Sequence, residues 1–461
     1  MKKRMISLAL TGLMAVSLLA GCRNSSTDTK SEGSPQTKSN TEATNSNTET
    51  ATDKTDANTS DNAKLIVSWW GNQTRNERTQ QVMDLYTQNN SGVTFDGQFS
   101  EWADYWNKLS IASAGHTLPD VVQMDYKYLE QYVSNELLVD LTPYIDNGTL
   151  DVSGIDENIL NSGKVNGGLY AIPLGVNAPA LMYNKTLLDQ NGITVKDNMS
   201  LDEFEALCKE IYEETGYKTD TAYGNGDIFI EYTMRSLGAV FYEKDKLGTT
   251  QEQLQKFFDI YEKGIAEGWL CDPSIYTERT IGTPEQMPLV YGSSPSTMSW
   301  CSFSYSNALT ALQNAAPEGT EIAMSTWPAD DAKAANYLKP GMFFSVTIDS
   351  KNPDAAVKFV NYWTNDVAAN EILLGERGVP VSSKVSEAIL DKMNDNNIKI
   401  INYINNVVTP TSSLINPPAP DGSAEVLKLV DQLVERVCYK QTTAKDAATE
   451  LFQKGNALLA Q

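Results

Sequence analysis

The pattern of apolar and polar positions changes character twice within the first 70 residues and then settles into alternating strand and helix periods. Lys2, Lys3 and Arg4 precede an apolar run from Met5 to Ala20 that only Ser, Thr and Gly interrupt, and the run closes on Leu19-Ala20-Gly21-Cys22. This layout predicts a secretory signal, because the apolar core is too short for a comfortable transmembrane span. Small residues before Cys22 give a peptidase access to the bond, and the Cys22 thiol is the expected site of a diacylglycerol thioether. Residues 1–22 therefore read as a lipoprotein signal, with an ordinary signal peptide that happens to hold a cysteine as the plainer alternative. Two acyl chains are enough for stable attachment. Residues 23–63 contain no aromatic and no branched aliphatic side chain. Such a segment cannot bury enough apolar surface to offset its ordering entropy, so a disordered polar tether is expected. A coil of about 40 residues spans roughly 35 Å root-mean-square.

Lys64 to Trp70 is β-branched and aromatic and predicts a strand. Thr79, Val82, Met83 and Tyr86 then recur at helical spacing. Val93, Phe95, Gly97 and Phe99 alternate as a second strand, and Trp102, Tyr105, Trp106, Leu109 and Ala112 mark a strongly amphipathic helix. Residues 119–124 predict a short buried strand, and Tyr128, Leu129, Tyr132 and Val133 a helix. This alternation argues for an α/β lobe with a largely parallel sheet. Further on, Ser200 and Glu203 form a capping box ahead of Phe204, Leu207, Cys208 and Ile211. Leu254, Phe257, Phe258 and Tyr261 mark another helix, ended by Gly264 and Gly268. Val290-Tyr291, Ser296 to Trp300, Ile322 to Trp327 and Met342 to Ile348 predict strands, the last leading into a helix with Ala356, Phe359, Val360 and Trp363. Two helices close the chain. No second low-complexity linker follows residue 63, so two domains would be joined by more than one chain crossing.

About 400 residues beyond the tether suffice for two domains of ordinary size. The net charge of −23 argues against nucleic acid and against an anionic membrane surface as partners. Cys208, Cys271, Cys301 and Cys438 are scattered without CxxC spacing, so neither a metal knuckle nor a redox pair is indicated, and Cys208 on a helix stripe reads as a buried thiol. His116 is the single histidine and sits in a loop, which excludes a His-rich zinc site and leaves a triad no other base. No phosphate loop and no dinucleotide fingerprint occurs, so no cofactor is expected. Paired carboxylates are abundant, and an extracellular glycosidase is the enzyme alternative that survives.

Four phrases occur in order behind the lipobox: Ser110 to Asp125, with its Ala-Gly and Pro-Asp; Leu137 to Tyr144; Gly168 to Leu188; and Gly341 to Phe359. Together they resemble the family 1 extracellular solute-binding proteins of ABC importers, relatives of maltose-binding protein, over roughly residues 64–460. Where many members carry Gly-Lys-Ala-Ala-Met, this chain has Ser296-Thr297-Met298. The resemblance implies a two-lobe, periplasmic-binding-protein-like (type II) α/β fold with ligand held between the lobes. Carried over, one lobe is 64–175 plus 302–343 and the other 178–299 plus 345–461, with hinges near Gly175–Ala178, Ser299–Cys301 and Gly341–Ser345.

It also implies a carbohydrate ligand. A sugar offers C–H faces to aromatic planes and rings of hydroxyls to carboxylates, amides and Arg. Trp69 and Trp70 are adjacent on a strand and point to opposite faces, and Trp70 is the candidate for the cleft, with Asn72 and Arg75 in the loop beyond. Asp125 and Tyr126 end the Pro-Asp strand where relatives place ligand residues, although Asp125 equally suits a helix N-cap. Asn177 stands in the first crossing where maltose-binding relatives carry a carboxylate. Asp227 is a loop acid, for which turn chemistry is the alternative. Trp300, Phe303 and Tyr305 follow the second crossing, Trp327 ends a strand before Pro328, and Trp102 is placed to reach the cleft from its helix. The implied cycle has sugar bind one lobe, bridge both, and favour a closed form that a membrane permease of an ABC importer reads. The protein would be a monomer held by its lipid on the outer face of the cytoplasmic membrane. A non-sugar solute or a sensor-linked receptor is the rival binding role.

Overall fold

The computed structural model describes residues 62–460 except 222, 225 and 282, and the side chains of Asp227 and Ile228 are not among those described. The expected signal segment, Cys22 and the tether up to residue 61 lie outside the described residues.

The first lobe is built on a five-stranded sheet. Its opening strands and helices follow the sequence pattern closely: β1 (Ala63–Trp70), α1 (Gln73–Asn89), β2 (Val93–Ser100), α2 (Trp102–Ala114), β3 (Val121–Met124) and α3 (Tyr126–Ser134). β1 pairs in parallel with β2 and β3. β4 (Ile172–Asn177) runs to the end of the sheet, and only Ala178 separates it from β5 (Pro179–Asn184) of a second sheet. The second lobe follows with α4 (Leu201–Thr215), α5 (Gly226–Ser236) and α6 (Gln251–Glu267). α4 carries the expected Ser200–Glu203 capping box. α6 runs through Gly264 and stops at Gly268, whose φ of +86° a side chain would resist. Gly264 is instead a packing position, since a Cβ there would lie 2.9 Å from the Trp269 ring.

β6 (Cys301–Tyr305) and β7 (Ile322–Ser325) flank β5, both antiparallel to it. β8 (Lys339–Val346) then re-enters the first sheet, giving the order β2-β1-β3-β8-β4. β8 is antiparallel to both β3 and β4, so the other four strands point one way and β8 alone is reversed. The reversal has a plain cause: β8 arrives from the end at which β4 left. α7 (Pro353–Asn365), α8 (Val367–Leu373) and α9 (Asp395–Asn402) follow, and α10 (Ser423–Cys438) and α11 (Ala444–Leu459) close the chain.

Two apolar cores result. One gathers Val67, Trp69, Val121, Phe344, Phe359 and Trp363 around the first sheet. The other gathers Phe204, Phe229, Phe257, Trp300, Val430 and Leu451 around α4, α5, α6, α10 and α11. This corrects the lobe boundaries carried over from the resemblance. β6 and β7 belong to the second sheet rather than to the first lobe, while α7, α8 and α9 pack on the first core rather than in the second lobe. Periodicity reports which face of an element is apolar, but not which of two sheets it pairs with.

The expected strands at Val290-Tyr291 and Ser296 to Trp300 are also corrected. The first is a turn, and the second opens on a short 3₁₀ helix, Pro295–Thr297. Gly292 and Pro295 break both runs. Among the described residues no helix is long and apolar enough to cross a membrane. Tyr403 ties the lobes together: its buried hydroxyl lies 2.6 Å from the Pro179 carbonyl oxygen on β5 and 3.2 Å from that of Ser325 on β7.

Candidate functional site

The chain crosses between the sheets where β4 ends and β8 begins, and there Asn177 and Lys339 are register partners. Lys339 is exposed, and its ammonium lies 4.4 Å from the centroid of the Tyr305 ring at the end of β6. Such a contact is worth about 0.5–1 kcal/mol at an exposed site. The Tyr305 hydroxyl is 3.0 Å from that of Tyr337, and the Tyr337 ring faces the Arg235 guanidinium at 5.1 Å. Tyr305 and Lys339 form the wall between two recesses.

The smaller recess, of about 230 Å³, is lined by Tyr126, Glu231, Arg235, Tyr337 and Asn416 besides that wall. Tyr126 is on α3 in the first lobe and Arg235 on α5 in the second. The Tyr126 ring stacks on Phe343 at 6.3 Å, and its hydroxyl donates to the Asn416 carbonyl at 3.2 Å. Burial pushes this phenol up to about 12, with Glu130 adding and Arg235 opposing. Arg235 is held rigidly. Nε donates to Ala335 O, Nη1 to Leu414 O and Asn416 Oδ1, and Nη2 to Ser413 Oγ. Burial draws its pKa down, opposed by Tyr337, Tyr232, Glu231 and Tyr126.

The larger recess, of about 430 Å³, is lined by Arg75, Asn177, Asn307, Glu376 and Arg377 among others. Asn72 caps α1 by accepting the Arg75 N–H. Gly71 leaves room for the Arg75 side chain to fold back, since a Cβ there would meet Arg75 Cδ at 2.3 Å. Arg75 Nη1 thereby reaches Trp70 O, and Nε donates to both Glu376 oxygens at 2.8 and 3.1 Å. Arg377 Nη1 shares the same carboxylate at 3.1 Å, while Nε and Nη2 bind Gln123 Oε1 and Thr79 Oγ1. Burial pulls Arg377 down to about 9, with Glu376 raising it and Arg75 lowering it further. Gly378, at φ +108°, lets this loop lie against β4, where a Cβ would stand 2.9 Å from Val176 N.

Of the residues expected from sequence, Arg75, Asn177 and Tyr126 line these recesses. Asp125 is the N-cap of α3 and accepts the Lys127 N–H at 2.9 Å. Burial raises its pKa, against the Lys127 N–H bond and the Lys339 and Lys127 charges, so Asp125 stands within electrostatic reach of the wall. Trp70 and Trp102 lie elsewhere, in edge contact at 4.9 Å within a cluster that includes Tyr105 and Trp106. Trp300, Phe303 and Trp327 are buried in the second core and line neither recess. There Trp300 Nε1 donates to Thr219 Oγ1, and Phe303 stacks on Trp327 at 5.2 Å. These residues lie in or beside strands packed on both faces, and only the strand-end Tyr305 emerges. The Asp227 side chain lies outside those described.

Sequence reasoning passed over Glu231, Arg235, Tyr337, Lys339, Glu376, Arg377 and Asn416. Arg235 carried a signal, as a cation on a helix whose neighbours Phe229, Ile230, Tyr232 and Met234 are apolar or aromatic and buried. So did Glu376-Arg377, two charges set between Gly375 and Gly378 in an apolar stretch. Chemically, the wall and its recesses offer ring faces beside fixed donors and acceptors, which suits a hydroxylated guest. Among the described residues no group of three or more His, Cys, Asp or Glu side chains could hold a metal.

The model of a family described as "Bacterial extracellular solute-binding protein" matches residues 81–400. An extracellular solute-binding protein family 1 structure from Alicyclobacillus acidocaldarius is 23% identical, covers 87% of this chain and 99% of its own, and has a TM-score of 0.80. A de novo designed cysteine esterase is 19% identical over 86% of this chain and 98% of its own, at a TM-score of 0.74. A periplasmic oligogalacturonide binding protein from Yersinia enterocolitica is 18% identical over 86% and 99%, at 0.69. At such identities these likenesses speak for the fold alone, the two-lobe type II arrangement. An arabinooligosaccharide-binding protein of Halalkalibacterium halodurans is 27% identical over 168 residues, 35% of this chain and 37% of its own. The chain spans only 37–41% of the length of the curated relatives it matches.

Proposed function

The chain belongs to the bacterial extracellular solute-binding protein family, and on that premise we propose that it captures a carbohydrate of oligosaccharide length between its lobes and delivers it to the permease of an ABC importer. The observation that carries this reading is the Tyr305–Lys339 wall at the chain crossing. It sets the ring faces of Tyr126, Tyr305 and Tyr337 beside the side chains of Asn177, Glu231 and Arg235. Rings cover the C–H faces of a pyranose, and the polar groups meet its hydroxyls. The arabinooligosaccharide-binding relative supports the same class of ligand. Lipid attachment at Cys22, residence on the outer face of the cytoplasmic membrane and a monomeric state complete the proposal, the first supported by the Leu19-Ala20-Gly21-Cys22 pattern.

Titration of the purified protein with a glycan panel, read by calorimetry and intrinsic fluorescence, tests it. Heat from at least one oligosaccharide, with the sugar recovered intact, is the expected result. Cleaved sugar would instead reveal a hydrolase, and silence across the panel would remove the carbohydrate reading. Mass spectrometry of the membrane-extracted protein tests the anchor, which requires a diacylglycerol mass on Cys22.

A further inference from the structure

The first sheet points the carboxyl ends of β1, β2, β3 and β4 toward one edge, since β8 alone is reversed. Open sheets of this kind bind ligands outside those ends. Three of the four ends serve the recesses: Arg75 follows β1, Tyr126 follows β3 and Asn177 ends β4. The corresponding place after β2 is taken by Trp102, the first residue of α2, and it lines neither recess.

α2 buries Tyr105 and Leu109, whereas Trp102, at the leading end of the same stripe, stays 42% exposed. Its ring is nonetheless fixed. It meets Trp70 at 4.9 Å and 89° and Trp106 at 5.5 Å and 73°, both in edge geometry. Tyr128 braces the pair, 4.1 Å from Trp106 and 6.3 Å from Trp102. On α3, Tyr128 stands two residues beyond Tyr126 of the smaller recess. Single exposed apolar residues are ordinary on a surface. Trp102 differs in being a ring already ordered by its neighbours, so that covering it costs little further entropy, and in its place in the row of strand ends. The complement of such a plane is the C–H face of a sugar. Neighbouring strands lie about 4.8 Å apart, which puts β2 roughly 10 Å along the row from β3. One ring seated against Tyr126 does not reach that far, but later rings of a chain do.

We propose that Trp102 is an outer stacking subsite, which takes a sugar ring of the same oligosaccharide beyond those held in the recesses. This rests on the carbohydrate reading above and adds to it a dependence of affinity on chain length.

The test titrates size-graded ladders of malto-, arabino- and galacturono-oligosaccharides, from the disaccharide upward, into the wild type, Trp102→Ala and Trp102→Phe, with calorimetry as the readout. In the ladder that binds, wild-type affinity should rise with length and then level off. Trp102→Ala should weaken the longest members roughly tenfold, the scale of one aromatic contact with its buried area, and leave the shortest binding member within about twofold. Trp102→Phe keeps an aromatic face and should recover most of the loss. Unchanged affinity at every length, an equal loss at every length, or a Phe variant no better than the Ala variant overturns the inference and leaves the carbohydrate reading standing. Silence from every ladder overturns the carbohydrate reading, and with it this one.

Discussion

The Tyr126 hydroxyl on the first lobe donates to the main-chain carbonyl of Asn416, 3.2 Å away, on the segment that leads into the last two helices of the second lobe. The bond sits on the wall of the smaller recess, and under the proposed capture of ligand between the lobes it is made on closing and broken on opening. Tyr126→Phe should keep the fold and the ring contact with Phe343 while losing about 0.5–1.5 kcal/mol of the closed form. Calorimetry with any bound sugar should show a matching rise in Kd, of no more than about tenfold. A change beyond a hundredfold would mean that the hydroxyl touches the ligand directly.

Arg235 is expected to be the most sensitive polar residue of the second lobe. Its guanidinium satisfies Ala335 O, Leu414 O, Asn416 Oδ1 and Ser413 Oγ at once. Arg235→Ala strands several of these acceptors, and the expected loss is about 3 kcal/mol or more in urea unfolding. Arg235→Lys should recover only part, because an ammonium cannot reproduce the planar fork.

Glu376 compensates two guanidiniums, Arg75 and Arg377. Glu376→Gln should therefore destabilise by about 3–5 kcal/mol, the cost of breaking a buried ion pair. Adding Arg75→Met to that variant removes one orphaned cation and should restore part of the loss. If the double variant melts no higher than the single, the charge account of this cluster is wrong.

Asp220 provides a pH signature. It is buried and accepts from the Tyr276 and Ser302 hydroxyls, and burial outweighs these bonds, holding its pKa above the usual carboxylate value. The folded chain thus keeps a proton that the unfolded chain has already released. Stability contributed here is greatest below the unfolded pKa and declines as pH rises through the folded one. Urea unfolding of wild type and Asp220→Asn at pH 4 to 7 should show the variant gaining on the wild type as pH increases. A constant gap would contradict the expected shift.

The four cysteines of the described chain are free and buried, and burial pushes each thiol pKa upward, Cys438 to about 12. A thiol reagent at pH 8 should label none of them in the folded protein and all of them in denaturant.

How much of this was legible in the sequence depends on what kind of information each feature carries. Local elements were legible, because the Ser200–Glu203 box, the Phe204-to-Ile211 stripe and the β-branched run at 64–70 each state their own geometry. Pairing was not, since β6, β7 and β8 look alike in sequence yet divide between two sheets. The site was legible where a candidate sat at the end of a strand, as Asn177 does, or in the first turn of the helix after one, as Tyr126 and Arg75 do. Trp300, Phe303 and Trp327 misdirected the search because a large aromatic ring serves a core as readily as a cleft, and only tertiary structure tells which. Lys339 and Asn416 gave no local signal at all. They owe their position to strands and segments that meet after long excursions of the chain.

The hydroxyl of Tyr403, held between carbonyl oxygens of β5 and β7, also bears on how motion in this protein can be observed. If the proposed closure turns one half about that contact, atoms near it stay almost stationary and remote ones sweep the largest arcs. On that closure, spectroscopic rulers fixed close to residue 403 would register little. A pair with one dye on the outer end of α2 and the other on α6 gains leverage from distance, and it is there that solution work should begin.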